Sequence, residues 1–442
     1  MSTLPHNDNF ASASPADGRS TTAAPGPDEQ ARGCSIGIVV IGRNEGERLK
    51  RCLRSVQQSA RRIVYVDSGS TDGSREFAHH LDRVDVVDLD LSRPFTMARS
   101  RNTGFRRLRE LDPGIALVQF VDGDCEVMPG WLERASAFLV EHTDVAVVCG
   151  RCRERFPEAT IWNRLADMEW QAPAGESRAC GGNAMMRAEV FAASGGFREG
   201  LIAGEEPELC LRLRRDGWKI WRLPEEMVLH DVAMTRFGQW WRRAVRGGHA
   251  YAEAASLHGR GPERYRMREV SSALLWGAAV PLVLAAALVL AVMVHIAFAL
   301  VLAAGLAGYG LIAWRIVRGR LRVDRDLRGA LLYTFFCLLG KPAQVQGIAM
   351  FVLRRLRGEG PRLIEYKLAG QGRHAAEGIN STPSASSDAE SSTAPPNADA
   401  DEGKAPVSSA SAPAGPPAEP LEGSFGGVGG GGGSRPATQQ ST

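Results

Sequence analysis

Cysteine is scarce, with eight in 442 residues, which excludes a small disulfide-stapled scaffold. A surplus of one charge is missing too. Fifty-three basic side chains face 50 acidic ones, a formal net charge of +3, and so weak a field argues against a nucleic-acid partner. At 44% hydrophobic and 23% charged residues, most of the chain can build a core, which excludes a wholly disordered or fibrous protein. Its length exceeds one average domain. The first 32 residues have no long apolar stretch, so no secretory signal is expected there. The most telling absence is charge itself: residues 270–314 contain no Asp, Glu, Lys or Arg.

That uncharged stretch predicts membrane helices. One helix over 274–314 would run roughly 60 Å, about twice the hydrocarbon core. Two helices fit better, over 274–294 and 296–314, turning near His295. Arginines crowd both flanks, from Arg242 to Arg268 before and from Arg315 to Arg325 after. The positive-inside rule puts both flanks in the cytoplasm and His295 in an external turn. A third apolar stretch, 331–353, is interrupted by Gly340-Lys341-Pro342 and followed by Arg354, Arg355 and Arg357. A full span would carry that cluster outside. A broken, re-entrant or interfacial segment is therefore expected, behind a basic loop, within 316–370, with a true third span as the alternative. The ends, 1–33 and 371–442, are rich in Ser, Ala, Pro and Gly and read as disordered.

Between the ends and the membrane lies a soluble head, 34–268. Its β-branched runs alternate with helical periodicity: 35–42 (SIGIVVIG), 63–66 (IVYV), 84–89, 115–121 (IALVQFV) and 145–149. This predicts an α/β layer with a mostly parallel sheet. Ligands of such sheets sit beyond the carboxyl ends of the strands, where Asp67 and Asp122 fall. Asp122-Gly123-Asp124 suits a hard cation, since Mg²⁺ takes one or two carboxylates and fills its shell with phosphate and water. It is also an ordinary turn sequence. Asp67 can cap its turn or accept hydrogen bonds from a base or ribose, and Asp72 can cap the next helix. The cluster from Arg99 to Asn102 reads as a solvated helix face or as a diphosphate contact. Glu205 and Glu206 are expected just before a helix opened by Pro207. There they supply either capping electrostatics or a general base. Cys149 and Cys152 have C-x-x-C spacing but no second pair, so strand cysteines are the stronger reading.

Seven short motifs occur in one order: 39–49 (VVIGRNEGERL), 66–74 (VDSGSTDGS), 101–104 (RNTG), 121–126 (VDGDCE), 181–187 (GGNAMMR), 195–197 (GGF) and 204–213 (GEEPELCLRL). Together they resemble the family 2 glycosyltransferases, whose nucleotide-sugar-binding domain has the GT-A fold. The resemblance covers about 34–245. It implies that Glu45 and Asp67 hold the nucleoside, that Arg101 and Asp122 lie near the nucleotide sugar, and that Asp124 binds a divalent metal, Mg²⁺ or Mn²⁺. It also implies that Glu206 or Glu205 is the catalytic base and that His230 completes the metal shell, as a late histidine does in some members; read alone, His230 is more often a structural histidine. The family's acidic pair usually ends in Asp, so Glu206 is one methylene longer. Processive relatives carry Q-x-x-R-W. Gln239 to Arg242 has the Gln and the Arg, but Arg243 stands where the Trp belongs, which favours single-sugar transfer. Trp240 and Trp241 equally suit a membrane-interface belt.

The expectation is a membrane-anchored, metal-dependent, inverting glycosyltransferase on the cytoplasmic side of the cell membrane. Its donor would be a nucleotide sugar and its acceptor a lipid-linked or glycan hydroxyl, in cell-envelope or exopolysaccharide synthesis. The alternative is a non-catalytic nucleotide-sugar-binding scaffold in a polysaccharide assembly complex. A nucleotidyltransferase would need a glycine-rich basic loop after the first strand, and 43–47 (RNEGE) does not provide one.

Overall fold

The computed structural model describes residues 35–360 and 363–365. The two disordered ends expected from composition lie outside the described residues.

The head is an α/β unit around one mixed nine-stranded sheet. In chain order its elements begin with β1 (Ile36–Gly42), α1 (Glu47–Val56), β2 (Arg62–Asp67), α2 (Ser74–His79), β3 (Val84–Asp88), α3 (Met97–Leu111), β4 (Leu117–Asp122) and β5 (Cys125–Val127). There follow α4 (Trp131–Glu141), β6 (Val145–Glu154), α5 (Ile161–Trp170), β7 (Gly175–Ser177), β8 (Ala184–Arg187), α6 (Ala188–Ala193), α7 (Glu205–Arg215), β9 (Lys219–His230) and α8 (Phe237–His258). The sheet order is β3-β2-β1-β4-β8-β6-β9-β5, with β7 paired to β9. The first four strands are all parallel, as the strand–helix alternation predicts. Beyond β4 the sheet mixes directions, with β8 antiparallel to both neighbours and β6 parallel to β9.

Burial explains the strands. Ile38, Val39 and Val40 on β1 and Val64 and Tyr65 on β2 have no exposed surface, because helices cover both faces. Each such side chain contributes about 1.5–3 kcal/mol on leaving water. All of these strands point their carboxyl ends the same way. Asp67 and Asp122 therefore sit on one rim.

After the head come three long helices, Met267–Met293, Ile296–Val323 and Leu327–Leu356, each long and apolar enough to cross a membrane. We label their α-helical parts α9 (Met267–Leu274) and α10 (Val280–Met293), joined by a π-helical turn at Leu275–Ala279, then α11 (Ala299–Val323) and α12 (Leu327–Leu356). His295 occupies the turn between the first two, as expected. The second helix runs past the boundary expected at 315, however, because Arg320 is pinned to the head. Its guanidinium donates to the Met168 carbonyl at 3.0 Å and to Gln171 Oε1 at 2.8 Å. The basic loop expected from 316 is thus helical as far as Val323.

The third stretch also differs from the expected break: α12 continues through Pro342. Proline removes one backbone hydrogen bond, but close backbone packing on both sides holds this helix. A Cβ at Gly277 would stand 2.5 Å from the Lys341 carbonyl oxygen, and one at Gly248 or Gly347 would collide with the backbone of Gln344 or Val245. The seam between α8 and α12 is filled by Trp240, whose ring lies 5.0 Å from Phe336 and 5.9 Å from Trp162. Trp240 is 1% exposed, so it belongs to this seam rather than to an aromatic belt. The first turn of α12 stays beside the head. Arg164 donates to Asp326 at 2.6 Å, and nine residues past the helix Glu365 accepts from Arg43 at 3.0 Å.

Candidate active site

The rim is built by the loops leaving β1, β2 and β4. Asn44, with φ 56°, turns β1 outward. Its amide donates to Ser70 Oγ at 3.0 Å, and its Oδ1 accepts from the Thr71 amide at 2.7 Å. These bonds zip the first two loops into one ledge. Asp67, 2% exposed, accepts from Tyr65 Oη at 2.8 Å and from the amides of Gly69 and Ser70 at 2.9 and 2.7 Å. It caps its own turn, one of its two expected readings, and holds the ledge rigid. Asp72 accepts from the Ser74 amide at 3.0 Å, one residue before Gly73, which takes the N-cap position of α2. Glu45 pairs with Arg48 at 2.8 Å and lies over Gly42 and Gly123. The nucleoside candidates Glu45 and Asp67 thus share this ledge.

Arg101 leaves α3, which Thr96 caps by accepting from the Arg99 amide. Arg99 and Arg101 are 3% and 1% exposed, so a solvated helix face does not describe them. One guanidinium serves three carboxylates: Asp122 Oδ1 at 2.7 Å, Glu205 Oε1 at 2.8 Å and Glu206 Oε1 at 2.9 Å. Burial pulls its pKa down. The charges of Asp122, Glu206 and Glu205 more than reverse that and hold it protonated.

Glu205 and Glu206 are the first residues of α7, after Gly204 at φ 81°, and Pro207 stands third rather than first. The helix starts earlier than Pro207 suggests because the first-turn amides have no intrahelical partners to lose. Glu205 is sealed at 1% exposure, whereas Glu206 keeps 9%. Burial first, and the Glu205 charge second, push the Glu206 carboxyl up to about 7, against the pull of Arg101. Gly182 closes the floor. A Cβ there would meet the Arg101 guanidinium and stand 2.7 Å from Asp122 Oδ2 and 3.1 Å from Glu206 Oε1. A cavity of about 260 Å³ opens over these groups and reaches Trp170 and His230.

Asp124 and His230 meet on the same side. The pairing of β5 with β9 sets Cys125 opposite His230, and His230 Nε2 lies 3.3 Å from Asp124 Oδ2. Ligand atoms of Asp124, Cys125 and His230 all lie within 4.8 Å of one another. The carboxylate oxygen and imidazole nitrogen suit Mg²⁺ or Mn²⁺. Cys125 suits neither: burial first and the Asp124 charge second raise its thiol pKa, so it stays protonated.

The sequence-predicted residues therefore form two adjoining groups, the Arg101 carboxylate cluster and the Asp124–His230 pair, with the Glu45–Asp67 ledge on the same rim. Sequence reading missed two neighbours. Trp170 packs its ring edge-on against His230 at 4.7 Å. Glu154, with no exposed surface, lies behind the same imidazole. Neither sits in a motif. The Gln239 of the Q-x-x-R run accepts from the amides of Thr235 and Arg236 and so caps α8. Arg243 pairs with the buried Glu169.

Residues 37–201 match the model of Glycosyl transferase family 2. The chain carries a family 2 glycosyltransferase domain. Its match ends at Leu201, just before the acidic pair. The chain is 24% identical over 255 residues to Glycosyltransferase AglE of Haloferax volcanii, covering 54% of this chain and 79% of that protein. It is 26% identical over 206 residues to Succinoglycan biosynthesis protein ExoA of Rhizobium meliloti, covering 44% of this chain and 62% of that protein. Among solved structures, the mannosyltransferase PcManGT from Pyrobaculum calidifontis, in complex with GDP-Man and Mn²⁺, aligns with a TM-score of 0.47. Its identity is 19%, over 71% of this chain and 86% of that one.

Proposed function

We propose that this glycosyltransferase is metal-dependent and inverting, and that it moves one sugar from a nucleotide-diphosphate sugar to an acceptor hydroxyl. The observation that carries this reading is Glu206. It is a buried carboxylate on the cavity wall, poised near neutral pH, one cluster away from Asp124 and His230. Glu45 and Asp67 hold the nucleoside on the ledge. Arg101 and Asp122 orient the diphosphate-sugar end. Asp124 and His230 would hold Mg²⁺ or Mn²⁺, which would supply charge neutralisation for the leaving diphosphate. Glu206 takes the proton from the acceptor hydroxyl as its oxygen bonds to the anomeric carbon. The bond from that carbon to the diphosphate oxygen breaks on the opposite face, so one displacement inverts the centre. Glu205 keeps Arg101 in place and raises the basicity of Glu206.

The acceptor in this reading is lipid-linked, since the cavity adjoins a head fastened to apolar helices. The helices Met267–Met293 and Ile296–Val323 form a hairpin through the cell membrane, with the head on the cytoplasmic side. The helix α12 lies along the interface, because its first turn is tied to Arg164 of the head and one face is buried against α8. The printed name of one relative, Succinoglycan biosynthesis protein ExoA, supports a place in exopolysaccharide or envelope synthesis.

The test is nucleotide release from membranes holding the full chain, with UDP-, GDP- and dTDP-sugars, Mg²⁺ or Mn²⁺, with and without lipid extract. One donor should give lipid-dependent release that Asp124→Ala abolishes and Glu206→Gln lowers by about 10²–10⁴-fold. Binding without turnover for every donor would instead favour the scaffold.

A further inference from the structure

We propose that Glu154 is a positioning residue for the metal site, holding the His230 imidazole so that Nε2 faces the cation carried on Asp124. This rests on the reading of Asp124 and His230 as metal ligands. The strands bring the three together. Parallel pairing of β6 with β9 sets Glu154 beside His230, and antiparallel pairing of β5 with β9 sets Cys125, next to Asp124, on the other side. His230 therefore stands between two carboxylates. Its Nε2 is 3.3 Å from Asp124 Oδ2 and its Nδ1 is 3.9 Å from Glu154 Oε2. Buried Nδ1 makes no hydrogen bond at that distance, so Glu154 is the acceptor nearest to hand.

Glu154 is itself fixed. Oε1 accepts from Asn163 Nδ2 at 3.2 Å and from the Phe156 amide at 3.2 Å, and Oε2 accepts from the Val232 amide at 3.1 Å. All three donors are neutral. Among the described residues no Lys or Arg forms an ion pair with it, although it has no exposed surface. A buried carboxylate without a cationic partner is costly. The group that can answer its charge is the imidazole, through an Nδ1–H turned toward Oε2. That bond selects the tautomer with Nε2 free to ligate and makes it a stronger donor. The Trp170 ring, 4.7 Å from the imidazole, leaves little room for another orientation. A purely local role, clasping the 154–163 loop through Asn163 and Phe156, is the competing explanation. It predicts no dependence on His230.

The experiment titrates Mn²⁺ into the detergent-solubilised full chain with UDP or GDP present and reads free Mn²⁺ by electron paramagnetic resonance. Glu154→Gln keeps the shape but places an amide where all partners donate. It should weaken Mn²⁺ binding about 10–100-fold while the native fold is retained by circular dichroism, at an unfolding temperature lowered by the opposed donors. In a His230→Ala background the same change should alter Mn²⁺ affinity less than about twofold, because the coupling is lost. If Glu154→Gln does not fold, Glu154→Asp enters the same two backgrounds, since it keeps the charge but draws it away from Nδ1. Parent-like affinity in the folded variant, or an equal loss with and without His230, would overturn the inference alone. Mn²⁺ binding untouched by Asp124→Ala would overturn the underlying assignment of the site as well.

Discussion

Arg101 offers one buried guanidinium to Asp122, Glu205 and Glu206, and the cluster stays anionic. Removing the cation leaves the carboxylates of Glu205 and Glu206, both buried, facing Asp122 with no counter-charge. Arg101→Ala should therefore cost about 3–5 kcal/mol, read as a fall in the unfolding midpoint of the solubilised protein. Arg101→Lys should recover only part of this, because an ammonium cannot fork between carboxylates. Glu206 sets the pH behaviour. The proposed transfer needs its ionised form, so kcat/KM should climb as pH rises through about 7. Stability runs the other way. The folded state keeps the Glu206 proton between the ordinary value of 4.5 and about 7, where the unfolded chain has lost it. Folding should thus weaken as pH rises across that window. Parallel pH profiles of rate and unfolding midpoint check both signs. At this scale the sequence was partly legible. Asp67, Asp122 and the acidic pair stand out by position at strand and helix ends, whereas Glu154 stands in no motif and acquires its neighbour through strand pairing.

Among the elements, the seam of α8 with α12 joins head to membrane region. Gly248 and Gly347 let the two backbones touch, and a side chain at either would strike main chain rather than a flexible tip. Gly347→Leu should force the helices apart at a cost above the roughly 1–3 kcal/mol of ordinary overpacking. The expected readings are a lower unfolding midpoint in detergent and faster proteolysis between head and helices, with the parallel strands of the head preserved by circular dichroism. Strand placement was legible from β-branched runs. Continuity of α12 was not, since Pro342 and Gly340 ordinarily mark a break, and only the backbone contacts on both sides explain why the helix persists.

For the whole molecule, the arrangement is a rim of carboxylates on a head fastened to an apolar hairpin. The basic flanks and the His295 turn are the basis of the proposed orientation. With His295→Cys as the sole engineered probe, a membrane-impermeant maleimide applied to intact cells should label the turn. A probe cysteine at exposed Arg134 in the head should react only after permeabilisation. Labelling in the opposite sense would invert the proposed orientation.

Local order was written in the sequence: parallel strands ending at Asp67 and Asp122, a family signature spread across the head, and an uncharged hairpin turning at His295. These follow from short-range periodicity, turn chemistry and charge, each carried by residues close in the chain. Tertiary structure alone decided which charges meet. Arg101 reaches residues 21 and 104 or more positions away, Glu154 and Asp124 close on His230 from different strands, and α12 settles against α8. Such meetings depend on register and on backbone approach between distant segments, which no local pattern encodes.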